Sequence, residues 1–250
     1  MKMKGTTLRM ENITGAFFQR KVRVESYQIG AAGHVRLSAL LRMEQETGDE
    51  HMDALGLSYE RLYQEGLAIL LTANRVQIHR FPVRNEELTV TTTPHGTAGV
   101  QMYRNFSFES GGETLATIRQ VTVCADPKTH KPLRPDALYR YGAFEPMTTP
   151  REDRVPRLRP PEDLPFLGER PIRYSDLDMN QHLTNTIYGD IVEDFLPESF
   201  RAYRFAEIHY LSESFLGETL QIHGKVLDGG RFLLTGQNPR GTGFSAVIAI

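Results

Sequence analysis

The sequence contains no tryptophan and a single cysteine, Cys124. One thiol excludes an intrachain disulfide and fits a reducing compartment. Long apolar runs are missing as well. None exceeds five residues, as in Leu67 to Leu71 (LAILL), far too short to cross a bilayer. The opening stretch MKMKGTTLRMENITG has basic residues but no apolar segment after them, unlike a secretory signal. Neither sign of charge dominates: the formal net charge of −2 argues against a general nucleic-acid binder. Gly30-Ala31-Ala32-Gly33 is not a G-x-G-x-x-G nucleotide fingerprint. Glu46, Asp49, Glu50, His51 and Asp53 lack H-x-x-x-H or C-x-x-C spacing, so they read as a solvated helix-to-loop segment rather than a metal site. These exclusions leave a soluble, cytoplasmic chain of 250 residues, enough for one large domain or two small ones.

Proline is plentiful but unevenly placed. Ten of the fourteen prolines fall between Pro127 and Pro171. A connection this long inside one compact domain is improbable, so it reads as an ordered linker. The expected division is a first unit over 1–126, a Pro/Arg-rich linker over 127–170 and a second unit over 171–250. The flanking units resemble each other. YQIGAAGHV and YSDLDMNQHL each precede an apolar helical pattern, with Tyr27 against Tyr174, His34 against His182 and one extra residue in the later copy. RVQIHRFPVRNEELTV and EIHYLSESFLGETLQI match further on. Two similar blocks in the same order suggest duplication. Leu183, Ile187, Ile191 and Phe195 recur every four residues, and strand pairs flank Gly111-Gly112 and NPRGTG. One helix per antiparallel sheet is an α+β arrangement. The segment HMDALGLSYERLYQEG is an insertion in the first copy, expected to form one or two short helices.

The stretch DLDMNQH places Asp178, Asn180 and His182 in alternation. In an extended approach to a helix, residues two apart share a face and reach one cavity. A helix start would add backbone N–H groups suited to an oxyanion. On spacing alone, ordinary capping is the stronger reading. The first copy shifts that balance, because IGAAGHV precedes a helix without Asp or Asn. Counting back from Glu86 and Glu218, Glu213 falls opposite Phe81 and Ser214 opposite Pro82. The first copy therefore lacks the polar set.

DLDMNQHLTNTIY, followed by Tyr210-Leu211-Ser212-Glu213-Ser214, resembles the signature of the plant and bacterial acyl-acyl carrier protein thioesterases. The resemblance implies tandem hotdog domains, each a long helix wrapped by an antiparallel sheet, with the acyl pocket on the N-terminal side. It implies hydrolysis of fatty acyl-acyl carrier protein, with acyl carrier protein as partner and no cofactor. The implied catalytic set is Asp178, Asn180, His182 and Glu213, the last on a strand. Ser214 stands where many members have cysteine, and Cys124 lies on a strand of the other repeat, so a Cys-His mechanism does not carry over. His182 and Glu213 suit proton transfer and water activation, Asn180 suits carbonyl polarisation, and Asp178 either orients its neighbours or attacks. An acyl-CoA thioesterase, a hotdog dehydratase or hydratase, and a non-catalytic acyl-binding protein are the alternatives. Arg75, Arg80, Arg84 and the linker arginines are candidates for a patch facing an acidic carrier. The sequence leaves a homodimer open.

Overall fold

The computed structural model describes residues 15–161 and 163–250. Its strands are β1 (Phe18–Arg23), β2 (Ala68–Ile78), β3 (Glu87–Ala98), β4 (Gln101–Ser110), β5 (Glu113–Ala125), β6 (Pro132–Leu133), β7 (Phe166–Pro171), β8 (Phe205–Tyr210), β9 (Thr219–Leu227), β10 (Arg231–Asn238) and β11 (Gly241–Ala249). The helices are α1 (Leu37–Ala54), α2 (Tyr59–Gln64), α3 (Asp136–Tyr139) and α4 (Ile187–Asp194).

The strands pair antiparallel in the order β1-β3-β4-β5-β2-β8-β11-β10-β9-β7, with β6 added beside β5. The order reads the same from both ends once each strand of the first half is matched to its counterpart in the second. Duplication thus shows as a pseudo-twofold relation centred on the β2–β8 pairing. At that seam Arg75 faces Glu207 in register, with Nε 2.7 Å from Oε2.

α1 and α4 lie against each other under the sheet. A Cβ added at Gly189 would stand 2.6 Å from Ser38 N, so glycine is what lets the helices approach. Leu37 N donates to Glu193 Oε1 at 3.1 Å, so a side chain of α4 caps the start of α1. Leu40 and Leu41 of α1, Ile191 and Val192 of α4, and Phe106, Phe108, Phe244 and Ile248 of the sheet form one buried cluster spanning both halves. Each such side chain contributes about 1.5–3 kcal/mol by leaving water. The inserted segment divides between the last turns of α1 and all of α2. Among the described residues no helix is long and apolar enough to cross a membrane.

Candidate active site

Leu177 and Leu183 form an antiparallel bridge, and the residues between them make a tight turn. Asp178 N donates to His182 O at 2.9 Å, and Gln181 N to Asp178 O at 3.1 Å. Gln181 closes the turn in the left-handed region, at φ 66°. The Asp178 side chain then locks it. Its Oδ1 accepts from Asn180 N at 2.8 Å and from His182 N at 3.2 Å. This is capping of a turn, not of a helix. α4 begins only at Ile187, so the expectation that the motif opens a helix is corrected. Leu183 matches the helical spacing because it is buried in the core beside the bridge, not because it is helical. The extended run with a common face is likewise replaced by a turn.

The turn distributes its groups over two surroundings. Asp178 and Asn180 stand in the wall of a cavity of about 470 Å³, whereas His182 and Glu213 lie outside its lining. His182 Nδ1 is instead 3.6 Å from Glu213 Oε1, and the His182 ring meets Phe215 edge-on at 5.1 Å. Glu213 sits in the connection after β8 rather than on a strand, as do Ser212 and Ser214. Two groups of the β10–β11 turn fix this connection. Asn238 Nδ2 is 2.9 Å from both Glu213 O and Ser214 Oγ, and an Arg240 amine donates to Glu213 O at 2.8 Å. His182 N itself is held by Asp178, and Leu183 N donates to Ser214 O at 2.8 Å. The four expected residues are thereby tied into one unit, through backbone bonds as much as through side chains.

The first half repeats this backbone without the chemistry. Gly30 N donates to His34 O at 2.9 Å and Gly33 N to Gly30 O at 3.0 Å, reproducing the turn bond for bond. Val35 N donates to Pro82 O at 3.1 Å, as Leu183 N does to Ser214 O. Pro82 and Ser214 are therefore equivalent, as the repeat alignment expects, and Phe81 stands opposite Glu213. The extra residue expected in the later copy is not needed: both turns have the same length, and the two tyrosines are offset by one. Where His182 faces a carboxylate, His34 stacks on the Phe81 ring at 3.7 Å.

The cavity lies mainly in the first half. Leu57, Leu62, Leu67, Met102, Leu138 and Phe144 form its apolar side, so residues beyond β6 supply part of the wall. Its other side is polar. Burial pushes the Glu44 carboxyl up to about 8, against hydrogen bonds from Gln120 and Asn74. Burial also raises Asp49 to about 6, helped by Glu46 and Asp53, and lowers Arg104 to about 10. Glu46, Asp49 and Asp53 of α1 are exposed, as expected of a solvated segment, and Asp49 also lines the cavity; His51 departs from that expectation, fully buried with Nδ1 2.9 Å from an Arg104 amine. The expected basic patch is also altered. Arg75 is paired with Glu207, and Arg80 with Glu86 and Glu113.

Sequence reasoning missed the residues that reach this site from afar. Tyr59 of α2 places its hydroxyl 2.8 Å from Asn180 Oδ1. His130, in the left-handed region at φ 54°, brings Nδ1 within 3.9 Å of Glu213 Oε1. Asn238 and Arg240 complete the list. None carries a local signal, although the insertion containing Tyr59 was visible.

Residues 15–138 match the sequence model of the acyl-ACP thioesterase N-terminal domain, and residues 165–241 that of the C-terminal domain. The chain belongs to the acyl-ACP thioesterase family. A chloroplastic acyl-[acyl-carrier-protein] hydrolase of Cuphea viscosissima is 28% identical over 200 residues, which are 74% of this chain and 48% of that protein. The chloroplastic oleoyl-acyl carrier protein thioesterase 1 of Arabidopsis thaliana is 24% identical over 217 residues, 76% of this chain and 58% of that one. The chain thus spans about half the length of the curated relatives it matches. Among solved structures, the 12:0-ACP thioesterase from Umbellularia californica superposes with a TM-score of 0.82 at 18% identity, covering 97% of this chain and 98% of that one. An acyl-ACP thioesterase from Bacteroides thetaiotaomicron gives 0.81 at 18% identity, over 93% and 97%. At such identities the likeness establishes the fold, the α+β tandem hotdog expected from the family motifs.

Proposed function

We propose that this acyl-ACP thioesterase family member hydrolyses fatty acyl-acyl carrier protein to free fatty acid and the carrier's thiol. The observation that carries the proposal is the 3.6 Å approach of His182 to Glu213, on a turn whose Asn180 faces the cavity. The same backbone in the first half keeps a histidine, His34, but has Phe81 where Glu213 stands and neither an aspartate nor an asparagine in its turn. In this reading the unit 1–126 with the linker 127–170 encloses the acyl chain, and the unit 171–250 supplies the chemistry.

Glu213, 3.6 Å from Nδ1, stabilises the imidazolium by its charge, while Nε2 takes a proton from water. The hydroxide adds to the thioester carbon. Asn180 donates through Nδ2 to the oxyanion, an interaction typically worth about 10²–10³ in turnover. Collapse breaks the C–S bond, and the thiolate recovers the proton from His182. A thiolate leaves easily, so demand on the acid is modest. Asp178 fixes the turn that carries Asn180 and His182, with one carboxylate oxygen occupied by two backbone N–H groups.

The test is thiol release from matched acyl-carrier-protein and acyl-CoA substrates over a range of chain lengths. We expect turnover of the carrier-protein substrate. His182→Ala and Glu213→Ala should each remove most of it, and the double variant should cost far less than the product of the two. Near-normal rates in either single variant would remove that residue from the mechanism. A preference for CoA substrates would assign the chain a different carrier.

A further inference from the structure

Asn180 can serve a developing oxyanion only with its Nδ2 face. Turned over, it would aim a carbonyl oxygen at the growing negative charge. The two ends of a carboxamide are nearly identical in shape, so packing cannot choose between them; hydrogen-bond partners must. Tyr59 biases that choice, because a phenol hydroxyl is a stronger donor than acceptor and so favours the oxygen end on its side. Its hydroxyl lies 2.8 Å from Asn180 Oδ1, and a carboxamide oxygen only accepts, so the phenol donates. Donation to Oδ1 leaves both Nδ2 hydrogens on the other end of the amide.

Tyr59 is well placed for the task. It opens α2, whose start is capped by Ser58 Oγ accepting from Arg61 N at 3.3 Å. Its ring packs on Tyr63 at 5.8 Å between centroids. Burial, Tyr63 and Asp178 raise its pKa, which keeps the donor protonated. Tyr59, Asp178 and Asn180 all line the same cavity. α2 belongs to the insertion of the first half. The corresponding stretch of the second half, after α4, holds only a single 3-10 turn, Glu198–Phe200.

We propose that Tyr59 is a positioning residue for Asn180, fixing its carboxamide so that Nδ2 faces the thioester oxygen. The inserted helix of the first half thereby completes the catalytic centre of the second. The inference rests on the thioesterase reading above.

Tyr59→Phe removes the hydroxyl and keeps the ring. With an acyl-carrier-protein substrate we expect kcat to fall roughly tenfold, less than the loss of an oxyanion donor itself, with KM little changed. In an Asn180→Ala background the same substitution should cost nothing further, since there is no amide left to orient. Tyr63→Phe, on the neighbouring ring, should leave turnover and the unfolding temperature near those of the parent. A parent-like kcat for Tyr59→Phe would overturn the inference while leaving the thioesterase reading intact. So would an equal loss in the presence and absence of Asn180, because the hydroxyl would then act only on the fold. A parent enzyme that releases no thiol from either carrier would overturn the thioesterase reading, and this inference with it.

Discussion

At Ser214 the hydroxyl is fully buried, lies 2.9 Å from Asn238 Nδ2 and bonds the Tyr188 side chain. It braces the connection that presents Glu213 and has no free path to a substrate. Cys124 is equally unsuited to attack. It lies on β5, fully buried beside Met102 Sδ at 3.6 Å, and burial pushes its thiol up to about 11. A thiol in that state is inert near neutral pH. Cys124→Ala should therefore retain most of the proposed thioesterase turnover, and thiol-blocking reagents should leave it largely intact. Ser214→Ala should cost about 1 kcal/mol of stability through the lost hydrogen bonding while keeping turnover within about tenfold. Steady-state rates beside urea unfolding separate the two effects. A larger loss of activity in the folded Cys124→Ala protein would reinstate a sulfur mechanism.

The two helices depend on one close approach. At Gly189 a new Cβ would come within 2.6 Å of Ser38 N and 2.8 Å of Ser38 Cα, both backbone atoms that cannot swing aside. Alanine is the better helix former by about 1 kcal/mol, yet overpacking of this kind typically costs about 1–3 kcal/mol. Gly189→Ala is therefore expected to be destabilising, shown by a lower urea midpoint at unchanged slope. A rise in the midpoint would mean that the helices can part freely. Elements also show where sequence reading succeeded and failed. Strand pairs, the duplication and the inserted helix were legible because alternation, order and turn residues are local signals. The start of α4 was not. Leu183 is apolar for the core's sake, and burial without helicity mimics a helical period. Aligning the tyrosines misplaced one residue because Tyr27 and Tyr174 are largely exposed and constrain nothing. Bonds at Gly30 and Asp178 set the true register. Asp178, Asn180, His182 and Glu213 were visible as motifs, but Tyr59, Asn238 and Arg240 reach the site across the chain, and single-sequence spacing holds no trace of that.

Across the whole molecule, polar groups are buried where the halves meet, and they respond to pH in opposite directions. Burial works to raise Glu207, but His209 and Arg75 outweigh it and hold the carboxyl low. A depressed carboxyl stabilises the fold above its unfolded pKa, and that contribution fades as pH falls. Glu44 behaves the other way. Packed against Gln120 and Asn74, with Asp49 adding repulsion and Arg104 attraction, it moves from 4.5 when unfolded to about 8 when folded. Between those values the folded chain keeps a proton that the unfolded chain has released, so unfolding becomes easier as pH rises. Asp49, raised to about 6, acts in the same sense over the lower part of that window. Stability should thus be greatest in mildly acidic solution and decline towards pH 8. Glu44→Gln cannot ionise and retains polar atoms for Gln120 and Asn74. Urea unfolding of parent and variant at several pH values from 5 to 9 should show the parent declining more steeply, with the two curves parallel above about pH 8. If the variant instead declined as steeply as the parent, Glu44 would already be ionised in the folded chain, and the polar wall of the cavity would carry a charge at neutral pH.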